Sequence, residues 1–89
     1  RIQLLDAGGG ATLKNKVKAA LEGHQTDIVD GGKASTTRNE IQVLYRARWD
    51  RGRAWSLALT LKEEDVGYHW TVKHWPDAPE RFVVAVGGP

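Results

Sequence analysis

Two stretches in the middle of the chain carry large apolar residues at every second position. These residues are Ile41, Val43, Tyr45, Ala47 and Trp49 in the first stretch, and Trp55, Leu57, Leu59 and Leu61 in the second. Such alternation is typical of strands that bury one face. If the two strands pair with their apolar faces together, an odd-numbered loop must join them, and Arg51, Gly52 and Arg53 supply three residues. The pattern therefore predicts a β-hairpin over 41–61, with Trp49 and Trp55 facing the core.

A helical pattern precedes this hairpin. Its apolar positions, spaced i, i+4, i+7 and i+8, are Leu13, Val17, Ala20 and Leu21. Thr12 is a candidate N-cap residue, and Gly23 is suited to end the helix in the left-handed conformation. The sequence therefore predicts one main helix over residues 12–22.

Four further segments have the character of strands: 1–5, 28–29, 68–74 and 82–86. The 68–74 segment alternates again, and we expect it to follow the hairpin in antiparallel pairing across the acidic turn 63–65. The 82–86 segment is continuously apolar, which indicates a strand covered on both faces or one that contacts another copy. Together these segments predict an α+β fold, a two-layer sandwich of one main helix packed on a mostly antiparallel sheet of four to five strands.

The 89 residues fit a single domain. Because the first residue is Arg rather than Met, we expect a mature product or a domain excised from a longer chain. Cysteine is not present, which excludes disulfides and thiolate metal sites. No stretch has the length of a membrane span or the pattern of a secretory leader, so we expect no membrane partner, and the composition indicates no particular compartment.

Positive charge is distributed unevenly along the chain. The net charge is only +2, yet residues 46–53 contain four arginines and a single acid, Asp50. On the predicted hairpin, Arg46 and Arg48 face away from the helix. They would share this open sheet face with the polar residues that alternate with core positions elsewhere, namely Ser56, Thr60, His69, Thr71 and Lys73.

A basic open sheet face predicts the binding of an anionic partner. Guanidinium and ammonium groups engage phosphates, while His69 and Trp75 offer rings on which bases can stack. The leading hypothesis is a small non-enzymatic binding module for nucleic acid or an acidic protein surface, with no cofactor, metal or catalytic residue. The residues expected to bind are Arg46, Arg48, Arg51, Arg53, Ser56, His69, Lys73, Trp75, Lys14, Lys18 and Lys33.

Three alternatives stay open. Any exposed sheet face needs polar residues, so the arginines could serve solubility alone. The apolar 82–86 strand could supply an edge for self-association or for protein recognition, as in an inhibitor, an immunity-type protein or an assembly module. Finally, a helix behind an antiparallel sheet with Glu, Arg and His in front resembles in outline the small microbial ribonucleases. That resemblance implies RNA cleavage, with the acid, base and cation roles shared among Glu40, Arg46, Arg48 and His69.

Overall fold

The computed structural model describes residues 1–24, 27–66 and 69–88. In these ranges the chain forms five strands and two helices, and a short 3-10 turn, Arg48–Asp50, precedes the second helix. The bounds are β1 (Ile2–Asp6), α1 (Gly10–Glu22), β2 (Ile28–Lys33), β3 (Ile41–Tyr45), α2 (Arg51–Glu63), β4 (Trp70–His74) and β5 (Phe82–Val86). Within the same ranges, neither helix combines the length and the apolar character needed to cross a membrane.

The strands form one sheet in the order β2-β1-β5-β3-β4. β1 is parallel to both β2 and β5, β3 is parallel to β4, and β3 is antiparallel to β5. The chain therefore contains two strand–helix–strand units, β1-α1-β2 and β3-α2-β4. Their strands point in opposite directions, and in each unit the second strand lies farther from β5 than the first. Because such crossovers are right-handed, opposite directions place both helices on the same face of the sheet, where α1 packs against α2. The predicted α+β class is confirmed.

The predicted hairpin is wrong, because the chain leaves the sheet after Tyr45 and residues 51–63 form α2. The inward stripe of α2 is Ala54, Leu57, Ala58 and Leu61, spaced as on one face of a helix. A short apolar run can satisfy the period of a strand and that of a helix together, and this one does. The sheet is consequently mixed, with three parallel pairs among the described strands, and it carries two helices instead of one.

Two of the tryptophans predicted to face the core lie outside it. Trp49 is 85% exposed and Trp55 is 45% exposed. Trp70 is partly buried against the core, as predicted. The core consists mainly of aliphatic side chains, and its largest fully buried members are Ile2, Leu4, Leu21, Ile41 and Leu61.

β5 is the central strand, and all five of its residues are buried. Phe82, Val84 and Val86 pack in the core beneath the helices, whereas Val83 packs on the other face of the sheet. This arrangement confirms the prediction of a strand covered on both faces. Because β1 and β3 pair with its two edges, the 82–86 strand does not offer the free edge from which self-association was inferred.

α1 begins at Gly10, two residues earlier than predicted, and its N-cap is Gly9 instead of Thr12. The Oδ1 atom of Asp6 accepts hydrogen bonds from the N–H groups of Gly8 (2.9 Å) and Gly10 (3.2 Å). These two bonds lower the pKa of Asp6. The carboxylate satisfies a donor at the helix start, so a Thr12 cap is not needed. At the other end, Gly23 is right-handed, with φ −58°, and not left-handed.

Leu59 and Leu61 distinguish the observed helix from the strand that period two predicts. Leu61→Ala should lower the free energy of unfolding by about 2–5 kcal/mol, because this side chain is fully buried. Leu59→Ala should lower it by about 0.5 kcal/mol or less, because Leu59 is 51% exposed. Urea unfolding followed by circular dichroism measures both. Equal losses would contradict the helix, since the two leucines share a face only in a strand.

Gly52 gives a second test with the opposite sign. It lies in the first turn of α2, and a methyl group added there would meet no atom within 4 Å. Gly52→Ala should stabilise the protein by about 0.5–1 kcal/mol, because alanine loses less backbone entropy in a helix. Thermal unfolding at pH 7 measures the change. If the variant is destabilised, residues 51–53 form the loop of the predicted hairpin and not a helix, because such a loop favours a glycine in the left-handed conformation.

Candidate anion-binding surface

Four exposed arginines lie together where β3 ends and α2 begins. Arg46 and Arg48 follow the strand, and Arg51 and Arg53 occupy the first turn of the helix. We call these four residues the arginine cluster. The Arg46 N–H donates to the carbonyl of Arg81 (3.1 Å), so the contact between β3 and β5 extends one residue before the 3-10 turn carries the chain away.

A shallow cavity of about 510 Å³ lies beside the arginine cluster. The Nε2 atom of His74 donates to the Arg46 carbonyl (3.1 Å), and the His74 ring stacks on Tyr45 with 5.0 Å between the ring centroids. These contacts hold the backbone where the cluster begins. The cavity lining includes Arg46, Arg48, Trp49, His74 and Arg81.

Asp50, the single acid of residues 46–53, is occupied by an arginine outside the cluster. It is only 2% exposed, and its two oxygens accept hydrogen bonds from Nε and Nη2 of Arg81, both at 2.7 Å. This bidentate pair lowers the pKa of Asp50, and the positive charges of Arg81, Arg53 and Arg46 lower it further. Among the described residues, the arginine cluster itself forms no ion pair.

Arg51 and Arg53 lie where positive charge disfavours a helix. The N-terminus of a helix is partially positive, so cations in the first turn are repelled. The first turn of α2 contains no acidic residue, and Asp50 makes no capping hydrogen bond to it. Helix stability therefore does not account for the two arginines. Their effect is to concentrate positive potential at one end of the sheet.

The predicted lysines of α1 and β2 are not part of the arginine cluster. The Nζ atom of Lys14 contacts Asp30 Oδ1 at 2.6 Å, which ties α1 to β2, and this bond lowers the pKa of Asp30. Lys18 lies 3.8 Å from Glu22, one helical turn away, and Lys33 is exposed at the end of β2. Because β1 and β5 separate β2 from β3, none of these three lysines joins the cluster.

The basic sheet face predicted from the sequence does not form. Arg46 and Arg48 lie beyond the end of β3, while the hydroxyls of Ser56 and Thr60 donate to carbonyls one turn earlier in α2. The helix-free face carries apolar and polar residues in equal number on β1, β3, β4 and β5, and of the predicted set it keeps the β4 positions Thr71 and Lys73. His69 and Trp75 flank β4. The residues that β1, β3, β4 and β5 place on this face are Gln3, Leu5, Gln42, Leu44, Thr71, Lys73, Val83 and Ala85.

Glu40 and His69 lie at the opposite ends of β3 and β4 from the arginines. Both line a second shallow cavity beside α2. The length of β3 separates this cavity from Arg46 by more than about 13 Å. A phosphate at Arg46 is therefore out of reach of His69, and the residues implied by the resemblance to ribonucleases are not brought together. In the described ranges, no three His, Asp or Glu side chains converge as a metal site.

Comparisons with protein families, curated proteins and solved structures found no match. Function is therefore inferred from the chain's own residues. The high density of arginine in residues 46–53 identified the arginine cluster from the sequence. It did not indicate the part played by Arg81 or the exposure of Trp49. Arg81 is 31 residues from its partner Asp50, so no local pattern indicates the pair.

The Arg81–Asp50 pair predicts a defined acid sensitivity. The folded-state pKa of Asp50 is below its unfolded value of about 3.9, so the pair stabilises the fold above that pH and is lost as pH falls through the lowered pKa. Arg81→Gln leaves a buried carboxylate without its cation, which raises the pKa of Asp50. The variant should melt at a lower temperature at pH 7, and its acid unfolding midpoint should move to higher pH.

Circular dichroism between about pH 2 and about pH 7 measures this midpoint, because that range covers the titration of carboxylates, whose pKa is about 4. The matched control is Arg1→Gln, since Arg1 is 56% exposed and lies 3.7 Å from the partly exposed Glu80, and ion pairs open to solvent contribute little. An unchanged acid midpoint in Arg81→Gln, or an equal shift in the control, would contradict the role of the buried pair.

Proposed function

We propose that this chain is a small non-enzymatic binding module whose arginine cluster, together with Trp49, binds single-stranded nucleic acid. The observation that carries the proposal is a cavity that Arg46 and Arg48 line together with Trp49, whose side chain is 85% exposed. Arg51 and Arg53 add two exposed charges in the adjoining first turn of α2, and none of the four arginines forms an ion pair within the described residues. The buried Asp50–Arg81 pair supports it, because the one nearby acid does not compete with a phosphate.

The chemistry of the surface favours phosphate-linked bases over other anions. Guanidinium groups form two-pronged hydrogen bonds to phosphate oxygens. An exposed indole adds a stacking surface, which unpaired bases can use and bases inside a duplex cannot. The positive end of α2 contributes to the same potential. The indole of Trp49 beside the arginine cluster thus resembles the surfaces that bind single strands, in which aromatic rings stack on bases and cations contact the phosphates.

Binding should weaken steeply with salt, because each phosphate contact releases counterions. Fluorescence anisotropy with labelled single-stranded RNA and duplex DNA at two salt concentrations measures this dependence. Arg48→Ala should bind both more weakly and lower the salt slope by about one unit. Trp49→Ala should weaken the binding of single-stranded RNA by about 1–3 kcal/mol and leave the affinity for duplex DNA nearly unchanged. Neither side chain is buried, so both variants should fold.

Lys16→Ala is the matched control, since it removes one exposed positive charge from α1. If this control loses as much affinity as Arg48→Ala, the loss reflects net charge alone, and the arginine cluster is not the binding site. Absence of binding at low salt would also overturn the proposal. Polyglutamate that competes as well as RNA would assign the surface to an acidic protein instead, and RNA cleavage that His69→Ala abolishes would favour the ribonuclease alternative.

A further inference from the structure

A cleft lies on the helix-free face of the sheet, apart from the arginine cluster. Strand pairing places four residues in one row across it, and the row spans roughly 14 Å. That row is Leu5, Ala85, Gln42 and Thr71, from β1, β5, β3 and β4. The first three, with Leu44, form the floor of a cavity of about 340 Å³.

The depth of the cleft comes from uneven cover on this face. Leu44 and Val83 pack with Trp75 and Ala78 from the segment after β4. Ala85, two residues beyond Val83, is only 4% exposed, and it lines the cavity with no more than a methyl group. Lengthening its side chain would therefore fill the cavity.

Backbone hydrogen bonds fix the two walls of the cleft. On one side, Ala34 N–H donates to the Asp6 carbonyl (2.8 Å) and Arg38 N–H donates to the Ala7 carbonyl (2.7 Å). On the other side, Trp75 N–H donates to the Tyr45 carbonyl (2.8 Å). The cleft is thus formed before any ligand arrives, as ligand pockets usually are.

The polar groups of the cleft are cationic or neutral. Arg38 and Lys73 line it, and neither forms an ion pair with a carboxylate of the described ranges. None of the described residues that line it is acidic. Gln42 donates through Nε2 to Glu40 (2.9 Å), whereas its buried Oε1 accepts no hydrogen bond from the described residues. Leaving that oxygen unsatisfied costs free energy.

We propose that this cleft binds a small organic anion with an aromatic or aliphatic body. Arg38 and Lys73 hold its carboxylate or phosphate, and the body lies over Leu5, Leu44 and Ala85 against the half-buried ring of Trp75. The cavity is at the small end of the range for ligand sites, which suits one ring with one anionic group and not a polymer. The proposal does not depend on the arginine cluster.

Titration of the ¹⁵N-labelled chain with phenyl phosphate, benzoate and benzyl alcohol tests this inference by NMR. Phenyl phosphate or benzoate should cause saturable shifts at the amides of Leu44 and Ala85 and at the Trp75 indole. The neutral alcohol should bind at least about ten-fold more weakly, because it lacks the charge-assisted hydrogen bonds. The tighter of the two anions identifies the anionic group.

Three variants locate the site. Ala85→Leu should abolish saturable binding by filling the floor, and Arg38→Gln and Lys73→Gln should each weaken it about five- to ten-fold. Lys16→Gln, the control for charge, should bind as the wild type does. RNA binding by Ala85→Leu should be unchanged, so failure here and failure of the nucleic-acid proposal are separate results.

Two results would overturn the proposal. One is shifts that spread over the surface and persist in Ala85→Leu. The other is an equal loss of affinity in Lys16→Gln. Amide dispersion in the ¹⁵N spectrum reports whether each variant is folded, and if Ala85→Leu is not, the two charge variants and the smaller change Ala85→Val decide the question.

Discussion

The pairing of β5 with both β1 and β3 is the constraint on which the rest of the molecule depends. β5 joins the two strand–helix–strand units, in parallel with one and antiparallel with the other. Outside the sheet, the two units pack against each other through α1 and α2. The end of β5 needs a close backbone approach: a Cβ atom on Gly87 would lie 2.3 Å from the Glu40 carbonyl oxygen, whereas Gly87 N–H donates to that oxygen at 3.0 Å. Glycine at this position lets the central strand join both halves.

The segment between β4 and β5 connects this frame to both proposed sites. Arg81 directly precedes β5, and its bond to Asp50 fixes the start of α2 beside the arginine cluster. Earlier in the same segment, Trp75 and Ala78 pack on Leu44 and Val83, beside the cavity that Ala85 lines. One short segment therefore orients the cationic surface at the strand ends and forms one wall of the cleft on the sheet face.

Local patterns in the sequence predict the elements that have one clear period. The strands 1–5 and 82–86 and the helix near 12–22 form with small changes of bounds, whereas the brief strand predicted at 28–29 extends to Lys33. The prediction for residues 46–63 is wrong, because Leu57 and Leu61 fit both periods while Leu59 adds a match to the strand period alone. The inward Ala54 and Ala58 are too small to indicate burial from the sequence. The sheet order fails for the same reason: once 51–63 is a helix, β3 and β4 are joined by a crossover and pair in parallel.

The two candidate sites differ in the same way. One follows from neighbouring residues in the sequence, and the other depends on contacts between distant residues. The density of arginine in 46–53 is a local property, so the sequence identifies it even when the predicted structure around it is wrong. The cleft depends on Leu5, Gln42 and Ala85, which only the strand order brings together. No local pattern indicates it.

The exposed tryptophan and arginines contribute little to the core. Within 1–24, 27–66 and 69–88, the fully buried side chains belong almost entirely to aliphatic residues of the strands and the helix stripes, and Asp50 is the one charged residue among them. Trp49 and the arginine cluster stand outside that packing, and two of the arginines lie where the dipole of α2 opposes them. Stability alone does not account for charge and aromatic surface placed together in this way. A partner that supplies negative charge and a stacking ring would offset both the repulsion at the helix start and the hydration of the indole.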